Sequence, residues 1–319
     1  KTKDDNRKAE ASRAGAILSA QAHFTIVMSG SMHGQLDPCG WKKNPLGGLS
    51  RRYVKVQELR DEGKNPLILD AGDLFFSTPN IKDDNRKAEA FRAGAILEGL
   101  NQIGFDAINI GKYELLNGLS FLKNMTTKIN TPFLSANLRN KETNELLFKP
   151  YLILEKTDVT FGIIGVTSQA PDTSNIYFID NYIEAGMKYI DELKNQVDII
   201  IVLANTDRAS QSGLVDHFKE ADFIITSGAT NMTRANSSQE EDGPFLYSCG
   251  KQGKYFMVVD VEMTDKNQPF VDVSKYKKKI KDITNRFKRL QKKDPERPIE
   301  QIYSDQQNVL NLIKQYRID

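Results

Sequence analysis

The chain has 319 residues, 39% of them apolar and 27% charged, with 44 Lys and Arg against 42 Asp and Glu, a formal net charge of +2 and only three histidines. That is enough apolar material for one large core or two small ones, and the balanced charge excludes a dedicated nucleic-acid binder, which carries a clear basic excess. No run approaches the roughly 20 apolar residues of a membrane-spanning helix, and three imidazoles leave little for a site built around two transition metals.

The chain opens on a segment that it repeats. KDDNRKAEASRAGAIL, residues 3–18, matches KDDNRKAEAFRAGAIL, residues 82–97, except for Ser12 against Phe91. The second copy leads into a strand with Phe91 as its packing anchor, whereas the first has no such slot. Residues 1–22 therefore read as an add-on, either an assignment artefact or a duplicated helix able to swap with the original.

From residue 23 to 263 short apolar runs alternate with helical spacings. The runs are HFTIVMSG (23–30), PLILDAGD (66–73), FDAINIG (105–111), FLSANL (133–138), VTFGIIGVTS (159–168), VDIIIVLAN (197–205), DFIITSG (222–228), FLYSCG (245–250) and YFMVVDVEM (255–263). Most are unbroken rather than alternating, which predicts strands buried on both faces. The stretches 83–103 and 182–195 carry apolar residues at helical spacing, so the fold class is α/β. Asp73, Asn109, Ser168 and Asn205 fall at the carboxyl ends of strands, where an open α/β sheet gathers its loops into a crevice.

Residues 275–319 depart from this pattern. Between Lys275 and Lys293 stand ten basic residues and one acid, Asp282, with Tyr276, Ile280, Ile283, Phe287 and Leu290 on one stripe. Pro295 and Pro298 precede a second stripe, so the region predicts an amphipathic helical hairpin. It either packs on the 23–274 domain or forms a partner-binding arm through the Tyr276 to Leu290 stripe; a polybasic contact with lipid headgroups is a further option.

Several segments resemble the calcineurin-like metallophosphoesterase superfamily, in its branch of bacterial periplasmic 5′-nucleotidases and UDP-sugar hydrolases. They are SMHGQLDP with GGLSRR, LILDAGDLF, FDAINIGKYELLNG, FLSANL, GIIGVTS, IIIVLAN, DFIITSGATN and GKQGKYFMVVDVEM, in order over residues 23–263. The resemblance implies a four-layer αββα sandwich, followed here by the C-terminal hairpin. It implies a dinuclear metal site at the strand ends, where two cations generate hydroxide and clamp a phosphoryl oxygen.

Residue by residue, the resemblance implies that most of that site is gone. Asp-x-His-Gly becomes Ser31-Met32-His33-Gly34; Asp73 keeps the metal-bridging position; Gly-Asn-His-Glu becomes Gly111-Lys112-Tyr113-Glu114; Asn205 stands for a histidine, and Ala229 and Asn231 for the closing Gly-His-x-His pair. One imidazole and one carboxylate cannot hold two divalent ions. The expectation is a catalytically inactive protein without a metal cofactor. It would serve as a binding or scaffold component of the cell envelope, periplasmic or extracellular, touching envelope protein partners but no nucleic acid, and the membrane only through an anchor absent from this chain. The alternative is a metal-dependent phosphoesterase with one metal on His33, Asp73 and a substitute acid, Asp207 or Glu114.

Lys112 is expected to pair with Asp73 and neutralise it in place of the metals. His33 is expected to be a hydrogen-bonded turn residue, and His23 and His217 structural. Arg51 and Arg52, after Gly47-Gly48, could meet an anion but read as a solvated helix face. Cys39 and Cys249 could pair in an oxidising compartment or remain separate thiols.

Overall fold

The computed structural model describes residues 22–318 apart from 41, 42, 44, 172–174, 235–238, 240–242 and 266–267. The first repeat copy, residues 3–18, lies outside the described residues. The described residues fall into two compact units, one holding those up to residue 233 and those between 242 and 270, the other holding the remainder.

The first unit is built on two five-stranded sheets. One has the order β12-β1-β2-β3-β4, with β1 (Ala22–Ser29), β2 (Leu67–Asp70), β3 (Ala107–Asn109) and β4 (Phe133–Leu134) parallel and β12 (Met257–Met263) antiparallel along β1. The other runs β11-β10-β9-β7-β6. In it β7 (Val159–Thr167), β9 (Ile199–Thr206), β10 (Phe223–Gly228) and β11 (Phe245–Ser248) are parallel, and β6 (Tyr151–Lys156) is antiparallel. A small pair, β5 (Leu138–Asn140) and β8 (Tyr177–Ile179), completes the strands.

The alternation of side chains across each strand divides the core into layers. Phe24, Ile26, Met28, Leu67 and Leu69 of the first sheet meet Phe161, Ile163, Ile201, Leu203 and Phe223 of the second in one cluster between the sheets. The opposite face of the first sheet, with Val27, Ile68 and Ile108, is covered by α1 (Leu49–Asp61), α2 (Arg86–Ile103) and α3 (Leu119–Thr126) through residues such as Val56, Ile96, Leu100 and Leu122. The outer face of the second, with Ile164, Ile200, Val202 and Ile224, is covered by α4 (Tyr182–Leu193) and the segment around α6 (Leu214–His217). This is the four-layer αββα sandwich that the resemblance implies.

Two expectations change. The repeat's second copy does form α2, but Phe91 is 81% exposed; Ala93, Ile96, Leu97, Leu100 and Ile103 make the buried face instead. Phe91 is off that face by about half a turn, so it is no packing anchor. Strand β6, read as no strand, alternates half-buried and exposed residues along YLILEK at a sheet edge, where one-sided burial weakens the apolar signal.

The second unit holds α7 (Ser274–Gln291), α8 (Ile299–Ile302) and α9 (Gln307–Ile318). Ile299, Ile302, Tyr303 and Ile313 form its own small core, against which Phe287, Leu290, Val309 and Leu310 pack. The Tyr303 hydroxyl donates to Leu290 O at 3.0 Å and ties α7 to the return segment.

Candidate active site

At the carboxyl end of the first sheet the loops after β1 and β2 are joined by backbone hydrogen bonds. Ser31 N donates to Gly72 O (2.9 Å), His33 N to Asp73 O (2.9 Å) and Gly34 N to Leu74 O (2.8 Å). Ser31, His33 and Asp73 have φ of 51°, 48° and 62°, a left-handed conformation that costs a residue with a Cβ about 1–2 kcal/mol and is held where surrounding bonds over-determine it. Gly34 has no such option, because a Cβ there would stand 2.7 Å from Phe75 O.

Two buried carboxylates hold these loops. Glu114 accepts from Asp73 N (2.9 Å), Leu74 N (2.6 Å) and Gly111 N (2.8 Å), fastening the loop after β2 to the loop after β3. Burial and then the neighbouring Asp73 charge raise its carboxyl well above the usual range. Asp70 accepts from Gly72 N (2.8 Å) and the Ser29 hydroxyl, and Arg52 Nη1 lies 3.9 Å from its Oδ2. Burial pushes Asp70 up to about 6 against the pull of Arg52. Arg52 is therefore not on a solvated face: it is 4% exposed and belongs to the frame, whereas Arg51 stays at the surface and donates to Pro45 O. Its inward turn follows from α1 presenting Arg52, Val56 and Leu59 on one face.

Within this frame His33 and Tyr113 stack, ring centroids 4.5 Å apart at 24°. Asp73 Oδ1 accepts from Tyr113 N at 2.9 Å, and its Oδ2 lies 3.8 Å from His33 Nε2. That nitrogen is buried and has no hydrogen-bond partner, so His33 is not the satisfied turn histidine expected. Lys112 forms no ion pair with Asp73 among the described residues; its backbone N donates to Asn205 Oδ1 (3.1 Å). The expected internal cation is thus replaced by main-chain N–H groups, which satisfy carboxylates without burying an ammonium. The Tyr113 phenol is raised by burial and by Asp73.

The second sheet contributes amides and hydroxyls. Asn205 Nδ2 donates to the Ser227 hydroxyl (2.7 Å), which donates on to Ala71 O (2.7 Å). Gly228 N donates to the Ser31 hydroxyl (2.9 Å), so Ser31, fully buried, bridges the sheets. Asn109 Nδ2 does the same through Ala71 O and Val166 O, each at 3.0 Å. Ala229 is buried, and Asn231 is exposed with its carbonyl accepting from Ser248 Oγ. Neither candidate substitute acid joins the cleft chemistry: Glu114 is saturated by N–H groups, and Asp207 caps α5 (Arg208–Gln211) through Ser210 N and accepts from Gln169 Nε2. The two cysteines are free thiols; Cys249 is buried, donates to Met28 O and is pushed up to about 12.

These residues do not fit a pair of divalent ions. Among the described residues no group of three or more His, Cys, Asp and Glu side chains is disposed to hold a metal. They do fit one. Two ligands at about 2 Å from a shared ion stand at most about 4 Å apart, and an unpartnered imidazole nitrogen 3.8 Å from a carboxylate oxygen meets that limit.

No family model matches the chain. It is 37% identical over 168 residues to Protein UshA of Salmonella pullorum, covering 49% of this chain and 28% of that protein. It is 30% identical over 233 residues to a probable 5′-nucleotidase of Treponema pallidum, covering 67% of this chain and 38% of the relative. The chain thus spans well under half the length of these curated relatives. In fold it is similar to the calcineurin-like phosphoesterase YfkN of Bacillus subtilis, with a TM-score of 0.61 at 22% identity over 77% of this chain and 86% of that one. The expectation of an inactive scaffold is overturned by these matches, because relatives such as the Treponema pallidum protein are named as 5′-nucleotidases and point to a hydrolase. Sequence kinship thus makes the chain similar to bacterial 5′-nucleotidases, and its fold is that of the calcineurin-like phosphoesterases.

Proposed function

We propose that this chain is a metal-dependent phosphoesterase of 5′-nucleotidase type that hydrolyses phosphate monoesters with one divalent cation on His33 and Asp73. The observation that carries the reading is the unpartnered His33 Nε2 beside Asp73 Oδ2, and the names of the relatives support the reaction class. A periplasmic or extracellular location, with a lipid anchor in the precursor, belongs to the same reading.

Bound there, a divalent cation supplies Lewis-acid polarisation of a phosphoryl oxygen and a more acidic water. The chain's own residues do the rest. Asp73 is oriented because Tyr113 N fixes Oδ1, leaving Oδ2 to face the histidine. Glu114 and Asp70 hold the loops that carry Asp73, so no reorganisation is needed when substrate arrives. The Tyr113 phenol, raised by burial and Asp73, keeps its proton at neutral pH and is the donor for a leaving alkoxide. Lys112, half-buried beside it, offers a positive charge to the phosphate.

Titration with Mn²⁺ and release of inorganic phosphate from 4-nitrophenyl phosphate and a 5′-mononucleotide test this. One equivalent of bound Mn²⁺, with turnover that vanishes in His33→Ala and Asp73→Asn, is expected. A wild-type protein that neither binds Mn²⁺ nor releases phosphate would refute the reading.

A further inference from the structure

The amphipathic stripe of α7 is divided into two halves of opposite fate. In its C-terminal half Phe287 and Leu290 are covered by the chain's own return helices. In the N-terminal half Tyr276 and Ile280 are 54% and 64% exposed, and Val271 and Val273, just before the helix, are 56% and 45% exposed. Around this uncovered half stand Lys275, Lys277, Lys278, Lys279 and Lys281, all exposed. At 100° per residue they flank the apolar stripe on both sides.

This half carries several features that disfavour a helix start. Five ammonium groups in the first two turns oppose the positive end of the helix dipole, and Lys275 repeats at Lys278 and Lys279, as Lys277 does at Lys281, placing like charges at repelling spacings. The first turn has no acid, and Val273 at the N-cap offers no side-chain cap. The adjacent carboxylate, Asp272, is committed to Ser274 N (2.8 Å) and Gln239 N (3.1 Å). A sequence that violates its own secondary structure at one place has a use for the violation outside the fold.

We infer that residues 271–281 dock onto an anionic lipid surface, with Val271, Val273, Tyr276 and Ile280 entering the interface and Lys275, Lys277, Lys278 and Lys281 meeting headgroup phosphates. The composition selects lipid over an acidic protein. Protein interfaces favour Arg, whose planar fork pairs carboxylates, and are depleted in Lys; here the basic residues are all lysine, point charges on long stems that suit a diffuse field and can snorkel beside an apolar stripe. The inference is independent of the phosphoesterase reading, since it uses no cleft residue.

Co-sedimentation of the full chain with phosphatidylcholine vesicles, with and without phosphatidylglycerol, tests it. Binding is expected only to the anionic vesicles and is lost near 1 M salt, where the screening length falls to about 3 Å. Each lysine-to-glutamine change at 275, 277, 278 or 281 lowers partitioning roughly five-fold. Tyr276→Ser with Ile280→Ser weakens it further while far-ultraviolet circular dichroism and Tm stay unchanged, because these mostly exposed side chains lie outside the unit's core cluster. Equal binding to both vesicle types, no binding to either, or wild-type binding by the Tyr276→Ser, Ile280→Ser protein would overturn the inference. So would capture of the chain by polyglutamate in place of anionic vesicles, which would assign the surface to an acidic protein.

Discussion

The carboxyl ends of the two sheets are joined by hydrogen bonds but carry different chemistry. After β1, β2 and β3 come an open imidazole, an open carboxylate oxygen and two buried acids that bind backbone N–H groups. At the ends of β9 and β10 stand Asn205 and Ser227, whose hydrogen bonds join the sheets, with buried Ala229 just beyond. Cation chemistry therefore has one side to stand on, while the frame that aligns the two sheets is shared. The contrast shows that the alignment of these loops rests largely on hydrogen bonds to main-chain groups rather than on the charged side chains.

The comparison breaks most severely at Glu114. Glu114→Ala leaves the N–H groups of Asp73, Leu74 and Gly111 without acceptors, so a loss of about 3 kcal/mol or more in denaturant unfolding is expected; a loss under about 1 kcal/mol would show that water replaces the carboxylate and the frame is not shared. Ser31→Ala removes the acceptor of Gly228 N and the hydroxyl link between sheets, at about 1–2 kcal/mol. Asn231→Ala, exposed on the second wall, stays within about 0.5 kcal/mol. If the order of these two is reversed, the division between bridging and rim residues fails.

Smaller effects sharpen the electrostatic side. Lys112→Asn removes a positive charge next in sequence to Tyr113, whose N–H binds Asp73, and is expected to tighten Mn²⁺ roughly five-fold by calorimetric titration, about 1 kcal/mol of screened repulsion; unchanged affinity would place that charge outside the site's field. Away from the cleft, Asp222 is pushed up to about 6 by burial, while Ile200 N donates to it at 2.8 Å. Its folded pKa is above the ordinary 3.8, so the fold favours the protonated form, and its contribution is present below pH 4 and lost as pH rises through about 6. Asp222→Asn keeps the acceptor without the charge and is expected to stabilise by about 1 kcal/mol at pH 7. Thermal unfolding should show that gain disappearing by pH 4; a gain independent of pH would mean the charge was never penalised.

Much of this molecule was legible in residue patterns. Unbroken runs such as IIIVLAN became fully buried strands, since a strand covered on both faces has no polar side to alternate. The region around α7 announced its stripe by spacing alone. Edge strand β6 escaped because its burial is partial, and Phe91 was misplaced because an isolated aromatic does not reveal which face of a helix is covered.

What residue order determined by itself was the layering, the loop positions of His33 and Asp73 and the basic helix, all of which follow from short-range periodicity and side-chain chemistry. Tertiary structure decided which groups remain open. It turned Arg52 inward to Asp70, spent both oxygens of Glu114 on backbone N–H groups, kept Lys112 from pairing with Asp73 and left His33 Nε2 without a partner. Those outcomes depend on distances between residues tens of positions apart in the chain, and satisfaction of a buried polar atom is a property of three-dimensional neighbours that no local pattern encodes.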